Sequence, residues 1–177
     1  SKTCLEIKLR FFLPYKLHPE TIMQILFFNF ISNGPAFNSG IAALSSILKA
    51  HNFQTSIINL TNDLINHEVA NRIQEINPDI IGFSVHTPHW EKIKRCISQV
   101  KMVSNALLIC GGYHPTICPE EVIDHPHVDV VCRGEADYSL LELAKRMEQQ
   151  TDICDIRGLW VKIKTGGTKR IIKNPIS

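Results

Sequence analysis

Residues 106–121 read ALLICGGYHPTICPEE, an apolar run followed by two glycines, a Tyr-His-Pro-Thr turn and Pro119 with two acids. Ala106–Cys110 is apolar at every position, so it does not alternate like a strand with one wet face. A strand covered on both faces reads this way, as strands of parallel sheets do. Glycines directly after such a strand permit unusual backbone angles and let a ligand come close to the main chain. Pro119 with Glu120 and Glu121 then fits the first turn of a helix.

The same alternation runs outward in both directions. Ile25–Phe30, Thr55–Leu60, Ile80–Val85 and Val128–Cys132 read as four more strands. Between them lie helical stripes: Ile41, Leu44 and Leu48, opened by Asn38 or Ser39 as cap; Ile65, Val69, Ile73 and Ile76, ended by Asn77-Pro78; Trp90, Ile93, Ile97 and Val100; and Leu140, Ala144 and Met147. Strands and helices in this rhythm imply right-handed βαβ units. The predicted fold is an α/β, doubly wound, five-stranded parallel sheet in the flavodoxin-like, Rossmann-like order 2-1-3-4-5. Such folds bind ligands at the carboxyl ends of the strands, beside the point where strand order reverses.

Three segments divide the chain. Residues 1–22 form an N-terminal extension, in which Cys4–Phe11 alternates enough for an extra strand. Residues 23–150 form the α/β domain. Residues 151–177 read as a β-hairpin, with Thr165-Gly-Gly-Thr as its turn, and a linker toward a further domain.

Composition narrows the class. The chain has 177 residues, 44% apolar and 20% charged, with net charge +2. That is enough for one ordinary globular domain with a core. That charge argues neither for nor against nucleic acid, although a phosphate-tracking protein usually gathers more positive charge on one face; no nucleic-acid partner is expected. The six cysteines contain no Cys-x-x-Cys pair, and no secretory signal is present. Reduced thiols in the cytoplasm are therefore expected. The apolar stretch Ile22–Ile31 is about half of a membrane span, so no span is expected.

The loops expected at the carboxyl edge are Ser32–Ser39, Ser84–His89, Gly111–Pro119 and Arg133–Asp137. They are rich in Gly, Ser, Thr, Asn and His and poor in charge, and Gly82 thins the third strand. No Walker-type phosphate loop and no G-x-G-x-x-G follow the first strand, which excludes the common NTP and NAD signatures. A receiver domain would carry aspartate where Ser84-Val85-His86 stands.

These loops resemble those of the cobalamin (B12)-binding domains, in particular those placed before a radical-SAM domain. The broad family has Asp-x-His-x-x-Gly after the first strand, Ser-x-Leu after the third and Gly-Gly after the fourth. The matching places here are Pro35-Ala36-Phe37-Asn38-Ser39-Gly40, Ser84-Val85-His86 and Gly111-Gly112. The stretch GGYHPTICPEEVIDHPHVDVVCRGEAD, residues 111–137, closely resembles the radical-SAM subgroup, including Arg133-Gly134-Glu135. The resemblance covers about Met23 to Pro175. It implies a cofactor site at Phe37, Gly40, Ser84, Val85, His86, Gly111, Gly112, Tyr113, His114, Thr116, Gly134 and Glu135, with no residue of this chain catalytic.

Two departures shape what the resemblance implies. Phe37 stands where the broad family has its cobalt-ligating histidine, and Pro35 where it has the orienting aspartate. Phenylalanine has no lone pair to give a metal. The expectation is base-off cobalamin with no protein histidine ligand and no metal-ligating residue in this chain. The other departure is that no Cys-x-x-x-Cys-x-x-Cys occurs. A 4Fe-4S cluster and S-adenosylmethionine would then belong to a C-terminal radical-SAM domain beyond this chain. The chain reads as the N-terminal fragment of a methyltransferase, or of a cyclase of the anaerobic magnesium-protoporphyrin IX monomethyl ester type, and as inactive alone.

Other readings of the same residues stay open at this point. A flavodoxin-like module for flavin or another small ligand is one, and an interaction domain with a degenerate pocket is another. Phe37 can be loop packing, His114 a solvent-facing turn residue, and Thr116 a cap on its own turn. Glu135 can pair with Arg133 or cap the last helix. His86 and His89 can face the corrin, whereas His125 and His127 flank Pro126 on an expected exposed turn.

Overall fold

The computed structural model of the chain describes residues 22–31, 37–61, 65–165 and 167–176. The expected strand at Cys4–Phe11, the position of Pro35 and the linker's last residue lie outside the described residues. Seven strands form one sheet in the order β2-β1-β3-β4-β5-β6-β7. The strands are β1 Gln24–Phe30, β2 Gln54–Leu60, β3 Ile80–Ser84, β4 Leu107–Gly111, β5 Val130–Cys132, β6 Leu159–Thr165 and β7 Thr168–Lys173. The first five pair in parallel, in the order expected from the sequence. The hairpin β6–β7 does not stand apart: β6 pairs antiparallel with β5 and extends the same sheet.

The helices are α1 Ser39–Ala50, α2 His67–Ile76, α3 Trp90–Val103, α4 Tyr113–Ile117, α5 Pro119–Asp124 and α6 Asp137–Glu148. Asn38 caps α1, its side chain accepting the Ile41 N–H. Asn77 closes α2 in the left-handed conformation, with Pro78 after it. The sequence leaves Gly111–Pro119 as loop, but the structure winds Tyr113–Ile117 into a short helix. Its turn is set by Thr116, whose backbone N–H and hydroxyl both donate to the Gly112 carbonyl.

Strand side chains divide between two apolar layers. Ile25, Phe27, Ile80, Leu107, Ile109 and Val130 pack with Leu48 of α1 and Leu143 and Met147 of α6. Leu26, Phe28, Ile81, Phe83, Leu108 and Val131 pack with Ile73 of α2, Ile93, Ile97 and Val100 of α3, and Val122 of α5. Both faces are therefore covered, which is why the inner strands lack polar alternation. In β6, Leu159 and Val161 enter the first layer and Trp160 the second.

The sheet's amino edge is closed by carboxylates. Asp79 Oδ2 accepts the Gln24 N–H at 2.8 Å, and Asp129 Oδ2 accepts the Leu108 N–H at 3.0 Å. Lys101 pairs with Asp129 at 3.4 Å and donates to the Ala106 carbonyl. Lysines of the hairpin lash it to α5 and the turn that follows. Lys162 donates to the His125 carbonyl and Lys164 to that of Pro126, while Lys169 meets Asp124 and Lys173 meets Glu120.

His125 sits beneath this lashing, half-buried beside Trp90 and His127. Its Nδ1 accepts the His127 N–H at 3.3 Å, which requires the neutral ring. Burial, followed by the neighbouring His127, pushes its pKa down to about 4. The unfolded state therefore binds a proton that the folded state refuses between about pH 6.5 and 4, and stability falls as pH drops through that window. Urea unfolding across pH 4–7 should show this decline, and His125→Gln should make it shallower.

Candidate functional site

Two adjoining cavities open at the carboxyl edge, beside the switch between β1 and β3. The deeper is a slot of about 160 Å³ between the sheet and the starts of α1 and α6. That is roughly five times the volume of a liquid water. Its apolar walls are Phe27, Ile41, Leu44, Ile109 and Leu140, and its mouth is formed by Asn38, Gly40, Ser84, Gly112, Gly134 and Glu135. The same mouth residues line the second cavity, a broad open shelf of about 1110 Å³. Phe30, Phe37, His86, Tyr113, Thr116 and Ile117 also line the shelf. Phe37, Tyr113 and Ile117 are 75%, 71% and 72% exposed. Large apolar side chains exposed together on one concave surface mark a surface made to be covered.

Glycines shape the slot in different ways. A Cβ on Gly82 would lie 3.0 Å from the Phe27 ring, so its absence lets that ring lie across the strand. On Gly40 and Gly111 a Cβ would meet nothing nearer than 3.4 Å and 3.7 Å, so both sites keep open space beside the slot. Gly112 differs. Its φ is +104°, and a Cβ would stand 3.0 Å from the Val85 carbonyl oxygen. What presses on Gly112 is the chain's own backbone. Val85 N–H donates to Gly111 O at 2.8 Å, and His114 N–H donates to Val85 O at 3.1 Å. Thr116 extends the clamp, its hydroxyl donating to Gly112 O at 2.9 Å and accepting the Gly134 N–H at 3.0 Å.

The mouth is wired by neutral side chains. Asn38 Nδ2 lies 3.2 Å from both Asn29 Oδ1 and Ser84 Oγ, and Asn29 Nδ2 donates to Asn59 Oδ1 at 3.0 Å. Asn29 is 7% exposed. A buried asparagine in an otherwise apolar strand was the available sign of this network; its partners on β2 and the α1 cap required the fold. His86 faces Tyr113 and His89, and His89 faces Phe30, forming an aromatic rim. Burial, then His86, lowers the His89 pKa, so this rim is uncharged at neutral pH on the His89 side. Among the described residues, no cluster of three or more His, Cys, Asp or Glu could hold a metal ion.

Of the twelve residues expected at the site, ten line the slot, the shelf or both: Phe37, Gly40, Ser84, His86, Gly111, Gly112, Tyr113, Thr116, Gly134 and Glu135. Val85 and His114 line neither. The Val85 side chain points into the opposite core layer. His114 is buried against Trp90, with Nε2 3.6 Å from Glu121, whose carboxylate also accepts the Trp90 indole N–H at 2.6 Å. Neither the solvent-facing turn nor a shelf contact describes the His114 ring. Arg133 lies over Trp160, with its guanidinium carbon 5.0 Å from the ring centroid.

A charge-poor slot opening onto an apolar shelf, at the switch point of a doubly wound sheet, defines a small-molecule-binding α/β domain. The chain belongs to the B12-binding domain family, which matches residues 32–144. It is 30% identical over 119 residues to the anaerobic magnesium-protoporphyrin IX monomethyl ester cyclase of Rubrivivax gelatinosus, covering 65% of this chain and 21% of the cyclase. Its fold is similar to that of the radical S-adenosylmethionine methyltransferase TsrM from Kitasatospora setae with cobalamin and a 4Fe-4S cluster bound. There the TM-score is 0.73 at 16% identity, covering 88% of this chain and 29% of that one. The cobalamin-dependent S-adenosylmethionine radical enzyme OxsB with aqua-cobalamin bound gives 0.66 at 20% identity, covering 90% and 23%. The chain thus spans under a third of the length of each of these relatives. The family match favours the B12 reading over a flavin module. No helix among the described residues is long and apolar enough to cross a membrane.

Gly112→Ala tests the clamp directly. Left-handed backbone of this kind is close to glycine-only and costs about 1–3 kcal/mol with a side chain, before the Val85 contact is counted. Chemical denaturation should show a loss of at least that size, while Gly111→Ala should lose less.

Proposed function

We propose that this chain is the cobalamin-binding part of a longer radical-SAM enzyme, a methyltransferase or an oxidative cyclase. The observation carrying this reading is the shared mouth: one ring of glycines, Asn38, Ser84 and a single carboxylate, Glu135, opens both into a narrow apolar slot and onto a wide apolar shelf. Cobalamin has a matching shape, a broad corrin disc with a nucleotide tail. In this reading Phe37, Tyr113 and Ile117 hold the disc. Ser84, Gly40 and Gly111 admit the detached base between β3 and α1.

The fit extends to chemistry. The slot walls suit a flat heteroaromatic base, and Ser84 offers it one polar contact. Phe37 has no lone pair, so the chain supplies no histidine beneath cobalt, and the cofactor is held base-off. Axial ligands are a main lever on a macrocyclic metal, so an apolar lower face alters its redox poise. Bound cobalamin supplies the organometallic and redox chemistry, and the chain's residues bind it, orient it and keep water from its lower face. The 4Fe-4S cluster and S-adenosylmethionine belong to the partner domain, which would close over the shelf.

Titration of the 177-residue chain with hydroxocobalamin should shift the corrin absorption bands toward the base-off form. Flavin mononucleotide should not compete. Gly40→Leu places a side chain in the open mouth and should abolish the shift while circular dichroism stays unchanged. An unshifted spectrum with the unaltered chain, or competition by flavin, would defeat this reading.

A further inference from the structure

We propose that the segment Cys4–Phe11 adds to the sheet as a further strand, antiparallel to β2, with Leu5, Ile7, Leu9 and Phe11 on the same face as Ile57. This holds whether or not the chain binds cobalamin.

The sheet ends in two unlike strands, β2 and β7. β7 carries Lys169, Arg170 and Lys173, and charges on an edge strand discourage another strand from pairing there. β2 reads QTSIINL, with no charge, proline or glycine. Its main chain is free on the outer side. Gln54 N–H donates to Met23 O, and Leu60 O accepts the Ile31 N–H, so the even-numbered residues of β2 turn their main-chain groups toward β1. Thr55, Ile57 and Asn59 turn theirs outward, and among the described residues no strand pairs with them. The Ile57 side chain lies beside Phe27 on one face of the sheet and is 48% exposed.

Cys4–Phe11 reads CLEIKLRF. Leu5, Ile7, Leu9 and Phe11 alternate with Glu6, Lys8 and Arg10, the pattern of a strand with one dry face and one wet face. In an antiparallel pair, residues directly opposite share a face, and at hydrogen-bonded positions they exchange both main-chain bonds. The outward residues of β2 lie on the Ile57 face, so their partners are the apolar set. The dry face then continues the layer of Phe27 past Ile57. Glu6, Lys8 and Arg10 guard the new edge as the basic residues guard β7.

The connection also fits. Antiparallel pairing brings Phe11 to the amino edge of the sheet, where Gln24 and Gln54 lie side by side. β1 is then two strand spacings away, about 10 Å, whereas residues 12–23 can span about 40 Å. A tethered strand has an effective concentration that a second copy of the chain lacks. Asn59, the last outward residue, also accepts from Asn29 through its side chain, so the added strand holds one end of the relay at the mouth.

Residue-resolved amide hydrogen exchange on the full chain tests this. Thr55, Ile57 and Asn59 should exchange at least about tenfold more slowly in the unaltered chain than in Leu9→Pro, which removes a main-chain donor from the added strand. Ser56 and Ile58, whose amides face β1, should stay equally slow in both and report an intact sheet. Fast exchange of the outward amides in the unaltered chain would overturn the inference, as would protection that survives Leu9→Pro. Surviving protection that grows with protein concentration would assign the edge to a second copy instead. Should Leu9→Pro cost Ser56 and Ile58 their protection too, Leu9→Lys, which charges the dry face and keeps the main chain intact, decides in the same way.

Discussion

At the carboxyl edge of the sheet the backbones of Gly112 and Val85 come so close that no side chain fits between them. That approach joins the end of β3 to the turn leaving β4. It is held by Val85 N–H on Gly111 O and by His114 N–H on Val85 O. Because the turn is pinned, α4 begins at once, and Tyr113, Thr116 and Ile117 are set along the rim of the shelf. Thr116 then reaches the β5 loop through Gly134, so one clamp positions three of the loops that line the site. The two consecutive glycines divide the work: Gly112 yields to the protein's own main chain, and Gly111 leaves space beside the slot.

The two edges of the sheet use polarity differently. At the amino edge, Asp79 and Asp129 accept strand N–H groups, and Lys101 neutralises Asp129. At the carboxyl edge a chain of amides and a hydroxyl runs through Asn59, Asn29, Asn38 and Ser84, beside the carboxylates of Glu135 and Asp137. Buried charge is costly unless paired, whereas neutral donors and acceptors can satisfy one another and still leave one group free for a ligand. A rim of few charges, with no lysine or arginine in it, beside an apolar shelf suits a large, mostly uncharged macrocycle better than a phosphate, in keeping with the missing phosphate-loop signatures.

The hairpin shows how far apart sequence proximity and structural role can lie. As a sequence it looks like an appendix after the last helix. In the fold, Leu159, Trp160 and Val161 are core residues, and β6 covers the edge that β5 would otherwise expose. A short β5 of three residues needs that cover, since an unpaired strand edge invites pairing with other chains. The lysines of the hairpin then tie it to α5 and the turn beyond.

Periodicity in the sequence was enough to determine the five parallel strands, their covering helices and the reversal between β1 and β3, because two-sided burial writes apolar runs such as Ala106–Cys110 and Ile80–Val85. The Gly-Gly-Tyr-His-Pro-Thr and Arg-Gly-Glu segments likewise marked the rim and the resemblance to B12-binding domains. Tertiary structure alone decided which neighbours of those segments face the slot and the shelf. Val85 and His114 sit within the marked stretches yet turn away, since strand alternation sends Val85 to the opposite layer and Trp90 and Glu121 enclose His114. Asn29, Asn38 and Asn59 form one wire only after β1, β2 and the α1 cap are brought side by side. Contacts between residues distant in sequence leave no local periodicity, so the partners of Asn38 and Ser84 belong to the fold.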